Sequence, residues 1–380
     1  MNARGNTLGL PTGCLMLLLV AHLGAGCDGR PGPLCDHGNI NSVATSPSGT
    51  VLAVVGRYGR SHDGRLSLYD TRTGTEVAAR LWPNRALLSA AFDMSAKRLA
   101  VSDEAGQVLI FQLQESAETD EGRLKLAKQS SAISRANDLV FSPDDSLLAL
   151  ACADHVVRLV HSGTGAIAAE LRGHTGAVSA VAFGPDGRRI ASAGGSDGTI
   201  KVWDVAQRTL SHTLAHGAAD VSDLTFTPDG SRIVASYGDS LADPWVVLEY
   251  PSEQVRTWDA VSGELIRSFR VGGDRVTSVS PSPSRGLVIA GYTHEKGTTT
   301  DHAVAVISAS SGERECTLRS PWRAPVARCY GSSHAVVVDG RSISSWDVSE
   351  PGQPRKMWEK EWRWQDKISR LSPMAGSTAP

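Results

Sequence analysis

Cysteine is sparse in this chain, six in 380 residues, and no two stand at the C-x-x-C spacing of a zinc ribbon or a dithiol redox motif. Basic blocks are missing as well. The formal charge is −2, and residues 1–26 carry only Arg4, so no stretch offers nucleic acid an electrostatic footprint. No segment approaches the roughly 20 apolar residues of a transmembrane helix. There is no glycine-rich phosphate loop leading into a helix, and His294, Glu295 and His302 are not at H-E-x-x-H spacing. Charged residues are only 21% and apolar ones 41%, which excludes a globally disordered chain and leaves material for a sizeable core.

What is present is a repeated pattern, clearest at residues 173–204, GHTGAVSAVAFGPDGRRIASAGGSDGTIKVWD. Three alternating apolar segments are separated by Pro185-Asp186-Gly187 and Ser196-Asp197-Gly198. Alternation of period two gives half-buried strands, and the Pro/Asp/Gly clusters give the turns between them. The mark before the Pro turn recurs at Thr45, Phe92, Phe141, Phe183, Phe226, Pro281 and, for a seventh time, near Tyr330. The closing Trp-Asp recurs as Tyr69-Asp70, Phe111-Gln112, Val160-His161, Trp203-Asp204, Trp258-Asp259, Ile307-Ser308 and Trp346-Asp347. Gly74, Gly165, Gly263 and Gly312 mark the next corner, each after Thr or Ser.

This repeat resembles that of the WD-repeat propeller family, closely in the fourth copy and with decay elsewhere. The resemblance implies an all-β fold, a single seven-bladed β-propeller of four-stranded antiparallel blades over residues 39–364. It also implies that His174, Ser192, Asp197 and Trp203 form a hydrogen-bonded tetrad binding one blade together, and that the usual role is to hold partner proteins. The G-x-S-x-G match at residues 194–198 falls in a strand-to-strand turn, not at the strand-to-helix elbow of a hydrolase, and its Asp already has a role. No catalytic residue, cofactor or metal is expected. Blades 2, 3, 6 and 7 lack most of the tetrad and are expected to hold by apolar packing alone. The innermost strands offer mainly Ser, Ala, Val and Thr to the central channel.

In such propellers the loops joining second and third strands share one rim with the connections between blades. The longer insertions are expected on that rim: 57–64 in blade 1, 114–135 between blades 2 and 3, 238–254 in blade 5 and 292–302 in blade 6. Candidate partner-binding residues there are Arg57, Tyr58, Asp243, Trp245, Glu249, Tyr250 and Tyr292, because rigid aromatics beside charges make interface hot spots. Trp245–Tyr250 reads equally as an elongated strand. Residues 356–364 alternate, with Trp358, Trp362 and Trp364 on one face, and are expected to be the outermost strand of blade 7. Closure without an exchanged N-terminal strand is expected, since residues 27–38 carry little strand-like sequence.

Residues 1–26 form a separate unit. Arg4, an apolar run at 15–20 and small residues before Cys27 make a secretory signal. Cys27 after Leu23-Gly24-Ala25-Gly26 resembles a bacterial lipobox, with Leu23 four places upstream, which implies lipidation at Cys27, a tether over 27–38 and anchorage to a membrane of the cell envelope. Ordinary cleavage near Gly26 is the alternative, and inner or outer membrane stays open. A Cys35–Cys329 disulfide and buried free thiols are both compatible with the spacing. Residues 365–380 read as a disordered tail. The function expected is a non-catalytic, membrane-tethered scaffold. The alternative is a small-ligand binder or enzyme using the channel.

Overall fold

The computed structural model describes residues 39–58, 63–114, 123–131, 134–195, 197–215, 220–238, 254–272, 275–282, 286–296, 299–308, 311–320, 326–330, 334–338, 342–350 and 353–361. Its strands form seven four-stranded antiparallel sheets, each with its strands side by side in chain order. The first strands, Asn39–Thr45, Leu87–Phe92, Ala136–Phe141, Val178–Phe183, Asp220–Phe226, Arg275–Pro281 and Val326–Tyr330, neighbour one another around a central axis. The seventh lies beside the first and closes the ring. The protein is a seven-bladed β-propeller. Among the described residues no helix is long and apolar enough to cross a membrane.

Local chemistry sets each blade. The turn after the first strand closes with a backbone bond, as Gly187 N to Gly184 O, and its last residue sits at positive φ (69° at Gly187), where glycine is unstrained. In blade 3 that place is taken by Asp145, at φ 61°. Its carboxylate accepts the backbone N–H of Met94 and Ser95 from the turn of blade 2 (2.7 and 3.2 Å), so the less favourable residue ties two blades together. Six first strands bulge by one residue. Three of the bulged residues reach the next blade: Asn41 donates to Leu87 O, Asn137 to Val178 O and Ser179 to Val221 O. Six of the seven marks close their strand at one ladder position. In blade 7, whose first strand has no bulge, the ladder puts Cys329 in that place, opposite Ala335 and Trp346, one residue before Tyr330.

The core is divided among the seams. Seven apolar clusters among the described residues each span two adjacent blades, from Leu66, Trp82, Leu99 and Phe111 between blades 1 and 2 to Val43, Leu52, Val336 and Ile343 between blades 7 and 1. Among the described residues two seams carry an added plug on the rim of the short turns. Arg98 of blade 2 lies over the Phe141 ring (5.2 Å) and donates to Asp145 O and Ser162 Oγ of blade 3. Arg189 of blade 4 does the same over Phe226 (5.8 Å), to Gly230 O and Ala260 O of blade 5. The ring shuts without strand exchange, because blade 7 is built wholly from residues 326–361. Trp358 on its outer strand, Arg355–Glu361, donates its indole N–H to Thr71 O of blade 1 (2.6 Å). Trp362 and Trp364 lie outside the described residues.

One insertion differs from expectation. Segment 114–135 is not a connection between blades: Leu124–Ser131 within it is the fourth strand of blade 2, hydrogen-bonded to Gln107–Leu113. The third strand thus ends and the fourth begins at the rim opposite the one expected, and residues 115–122 lie outside the described residues. Segment 292–302 is a continuation of the blade 6 hairpin, whose ten-residue strands Leu287–Lys296 and Thr299–Ser308 pair as far as Lys296 opposite Thr299. The cysteines described, Cys152, Cys316 and Cys329, are free thiols. Burial pushes the Cys329 thiol up to about 12, and its Sγ faces Ser280 O at 3.7 Å. Cys35 lies outside the described residues.

Candidate functional site

Blade 4 brings His174, Ser192, Asp197 and Trp203 together. His174 precedes the first strand, Ser192 sits mid-way along the second, Asp197 in the turn to the third, and Trp203 near the end of the third. The Trp203 indole N–H donates to Ser192 Oγ (2.8 Å), which lies 2.8 Å from His174 Nε2, while His174 Nδ1 lies 2.7 Å from Asp197 Oδ2. With the proton on Nδ1, every donor in this chain has an acceptor. Burial pushes the imidazole down, keeping it neutral against the pull of Asp197. Burial also works to raise the Asp197 carboxyl, but hydrogen bonds from Thr199 and His174 outweigh it and hold it at about 2.

The same residue types make a hydrolytic triad elsewhere, but a nucleophile has to meet its substrate. Ser192 is 0% exposed and its oxygen already receives the indole, so the group serves cohesion. The ladder assigns the Ser192 place in the other blades to Val54, Val101, Leu150, Ala235, Ala290 and Val337, all buried and apolar. Polar ties nonetheless occur there, against the expectation of apolar packing alone. Blade 2 holds Arg85 3.6 Å from buried Asp103, blade 3 holds Arg158 between Asp154 and Glu170 (2.6 and 3.1 Å), and in blade 7 Trp346 donates to Ser344 Oγ (2.9 Å).

The channel is less bland than its strands suggested. Asp138 on the first strand of blade 3 accepts Ser89 Oγ from blade 2 and Val181 N from blade 4. Asp223 on the first strand of blade 5 accepts Val279 N from blade 6 and pairs at 2.9 Å with Arg328 of blade 7, an ion pair that passes over blade 6. Asp138 and Asp223 both stand three residues before the Phe mark, in Asp-Leu-x-Phe, and that shared offset was the available signal. Burial first, then the charge of Asp223, push the Asp138 carboxyl up to about 6.

A raised carboxyl binds its proton more tightly in the folded protein than in the unfolded one. Its stabilising share is complete below pH 4 and is lost as pH rises through about 6. Asp138→Asn is therefore expected to gain on the native protein by up to about 3 kcal/mol between pH 4 and pH 8, read as the change in their stability difference by urea unfolding. A pH-independent difference would refute the assignment.

The expected partner residues fall into three groups. Arg57 is half-buried at the end of the second strand of blade 1, opposite Gly64; Tyr58 pairs with Asp63 along the backbone, its side chain outside the described residues. Tyr292 is half-buried, packed against the core between blades 5 and 6 with the Arg314 guanidinium 5.7 Å over its ring. Asp243, Trp245, Glu249 and Tyr250 lie outside the described residues.

Three stretches, 32–70, 165–204 and 208–242, match the family model of the WD domain, G-beta repeat. Those stretches are similar to WD repeats, and propellers built of WD repeats typically mediate protein–protein interaction. The chain is 34% identical over 107 residues to an uncharacterized WD repeat-containing protein of Synechocystis sp., covering 28% of this chain and 30% of that one. It is 31% identical over 122 residues to apoptotic protease-activating factor 1 of Homo sapiens, covering 30% of this chain and 8% of that one. The chain thus spans under a third of the length of either relative.

Proposed function

We propose that this WD-repeat propeller is a non-catalytic scaffold of the bacterial cell envelope, lipid-anchored at Cys27, that assembles protein partners on the rim of its blade connections. The observation that carries the reading is the blade 4 tetrad: the residues most like a catalytic set are buried and bonded to one another. The channel-ligand alternative is disfavoured by the Asp223–Arg328 pair and by Asp138, whose oxygens already receive Ser89, Leu139 and Val181. Insertion 238–254, with Trp245 and Tyr250 beside Asp243 and Glu249, supplies the kind of residues from which hot spots are made.

Crosslinking and affinity capture from native membranes test this, comparing the native chain with one whose 240–252 segment is replaced by Gly-Ser. A protein captured by the first and lost with the second is the expected result. Equal capture by both would exclude the blade 5 platform. In the same preparation Cys27→Ser is expected to leave the membrane fraction, and its retention there would refute the anchor.

A further inference from the structure

The two arginine plugs define a repeated site, and the seam of blades 3 and 4 holds the site with leucine in place of the plug and a cavity beside it. By ladder position Arg98 and Arg189, opposite Gln112 and Asp204, correspond in blade 3 to Leu147, opposite His161. Every other part of the arrangement recurs at the seam of blades 3 and 4. Phe183 stands where Phe141 and Phe226 stand, as the mark that ends the first strand. Gly187 corresponds to Asp145 and Gly230, whose carbonyls receive the guanidinium groups at the other seams. Val205, bonded to Arg188 O as Ser162 is to Ser146 O and Ala260 to Ser231 O, takes the place of the second acceptor.

Leucine is too short to fill the space that arginine fills, and a cavity of about 380 Å³ remains on the short-turn rim. Its walls include Leu147, Phe183, Gly187 and Val205, together with Asp144, Asp186 and Arg188. Asp144 corresponds to Asp186 of the next blade, which lies 3.7 Å from the Arg189 plug. An aromatic face, acceptors at the positions that hold the neighbouring plugs, and the Asp144 carboxylate, fixed in the wall by Ser142 and Ser146, together select a planar cation with several N–H donors.

We propose that this cavity receives an arginine side chain from a protein partner, stacked on Phe183, completing in trans the plug that Arg98 and Arg189 make in cis. The proposal rests on the reading of the chain as a protein-binding propeller, but it concerns the rim opposite the blade 5 insertion. Lysine fits less well, because a point charge neither stacks on the ring nor bridges two acceptors.

The test pans a random-heptapeptide display library against the purified protein, then measures synthetic copies of the selected peptides with arginine replaced by citrulline. Arginine is expected in the selected peptides, with affinity falling at least tenfold for the citrulline copies. Leu147→Arg, which rebuilds the plug in cis, is expected to lose binding to the same extent. Ala206→Trp, at an exposed position of the wall, closes the mouth by a second route should the first variant not fold. Peptides without arginine, citrulline copies that bind equally, or binding unaffected by both variants would overturn the assignment. Synthetic peptides need no native partner, so a negative result here leaves capture through blade 5 standing, and failed capture leaves this result standing.

Discussion

Trp203→Ala is expected to lower stability by about 4–5 kcal/mol, and Trp203→Phe by about 1–2 kcal/mol, measured from urea midpoints. Trp203 is 2% exposed within the cluster joining blades 3 and 4. Truncation to alanine removes most of an aromatic side chain from a packed interior, which leaves a cavity as well as the lost transfer energy. It also takes the indole donor from Ser192 Oγ, at the centre of the tetrad. Phenylalanine refills most of the volume and restores no donor, so the gap between the variants separates packing from hydrogen bonding. Equal losses would mean that the indole bond carries the whole effect. A midpoint unchanged in Trp203→Ala would remove the tetrad from any account of blade 4.

Arg98→Ala is expected to cost about 3 kcal/mol, a large effect for a residue that is not part of the core. Its Nε donates at 2.8 Å to Asp93, whose side chain is 0% exposed, while its two Nη atoms cross to blade 3. Removing it leaves a carboxylate in a desolvated place without its cation, and uncovers Phe141. Burial already works to raise the Asp93 carboxyl; the Arg98 hydrogen bonds and charge reverse this and hold it below its ordinary value. A depressed carboxyl stabilises above its unfolded pKa and loses that share as pH falls. The cost of Arg98→Ala should therefore be full at pH 7 and shrink on acidification below pH 4. Arg98→Lys should recover little, since one ammonium cannot serve Asp93, Asp145 O and Ser162 Oγ together. A loss under 1 kcal/mol at neutral pH would show that the plug is ornamental, and would weaken the case that the blade 3–4 cavity awaits an arginine.

The parts of the fold visible in the sequence are those fixed by neighbours along the chain. The turns and the paired marks follow from period-two alternation and from Pro, Asp and Gly at set offsets, and all seven Trp-Asp places fall at or one residue before the end of a third strand. Leu124–Ser131 escaped because an outermost strand buries so little. LKLAKQSS alternates apolar and polar on a surface mostly open to water, which is also how a solvated connection reads. The blade 7 mark shifted by one because a missing bulge is invisible without the ladder. Asp138 joins blades 2 to 4 and Asp223 joins blades 5 to 7, and although Asp-Leu-x-Phe marks both, no local pattern names partners 43 to 105 residues away. Leu147 looked like an ordinary strand residue. Only beside Arg98 and Arg189 does it become a missing plug.

Each blade has four strands, an even number, and this has a consequence for orientation. Asn39 opens the first strand beside Arg57, and Glu361 ends the last strand beside Ser342, so the chain enters and leaves at the same rim. With a lipid on Cys27, the twelve residues 27–38 reach at most about 40 Å. Asn39 and the rim it opens would then stay within reach of the bilayer, whereas the Phe183 cavity, a blade's length away on the other rim, would lie farther from the tether.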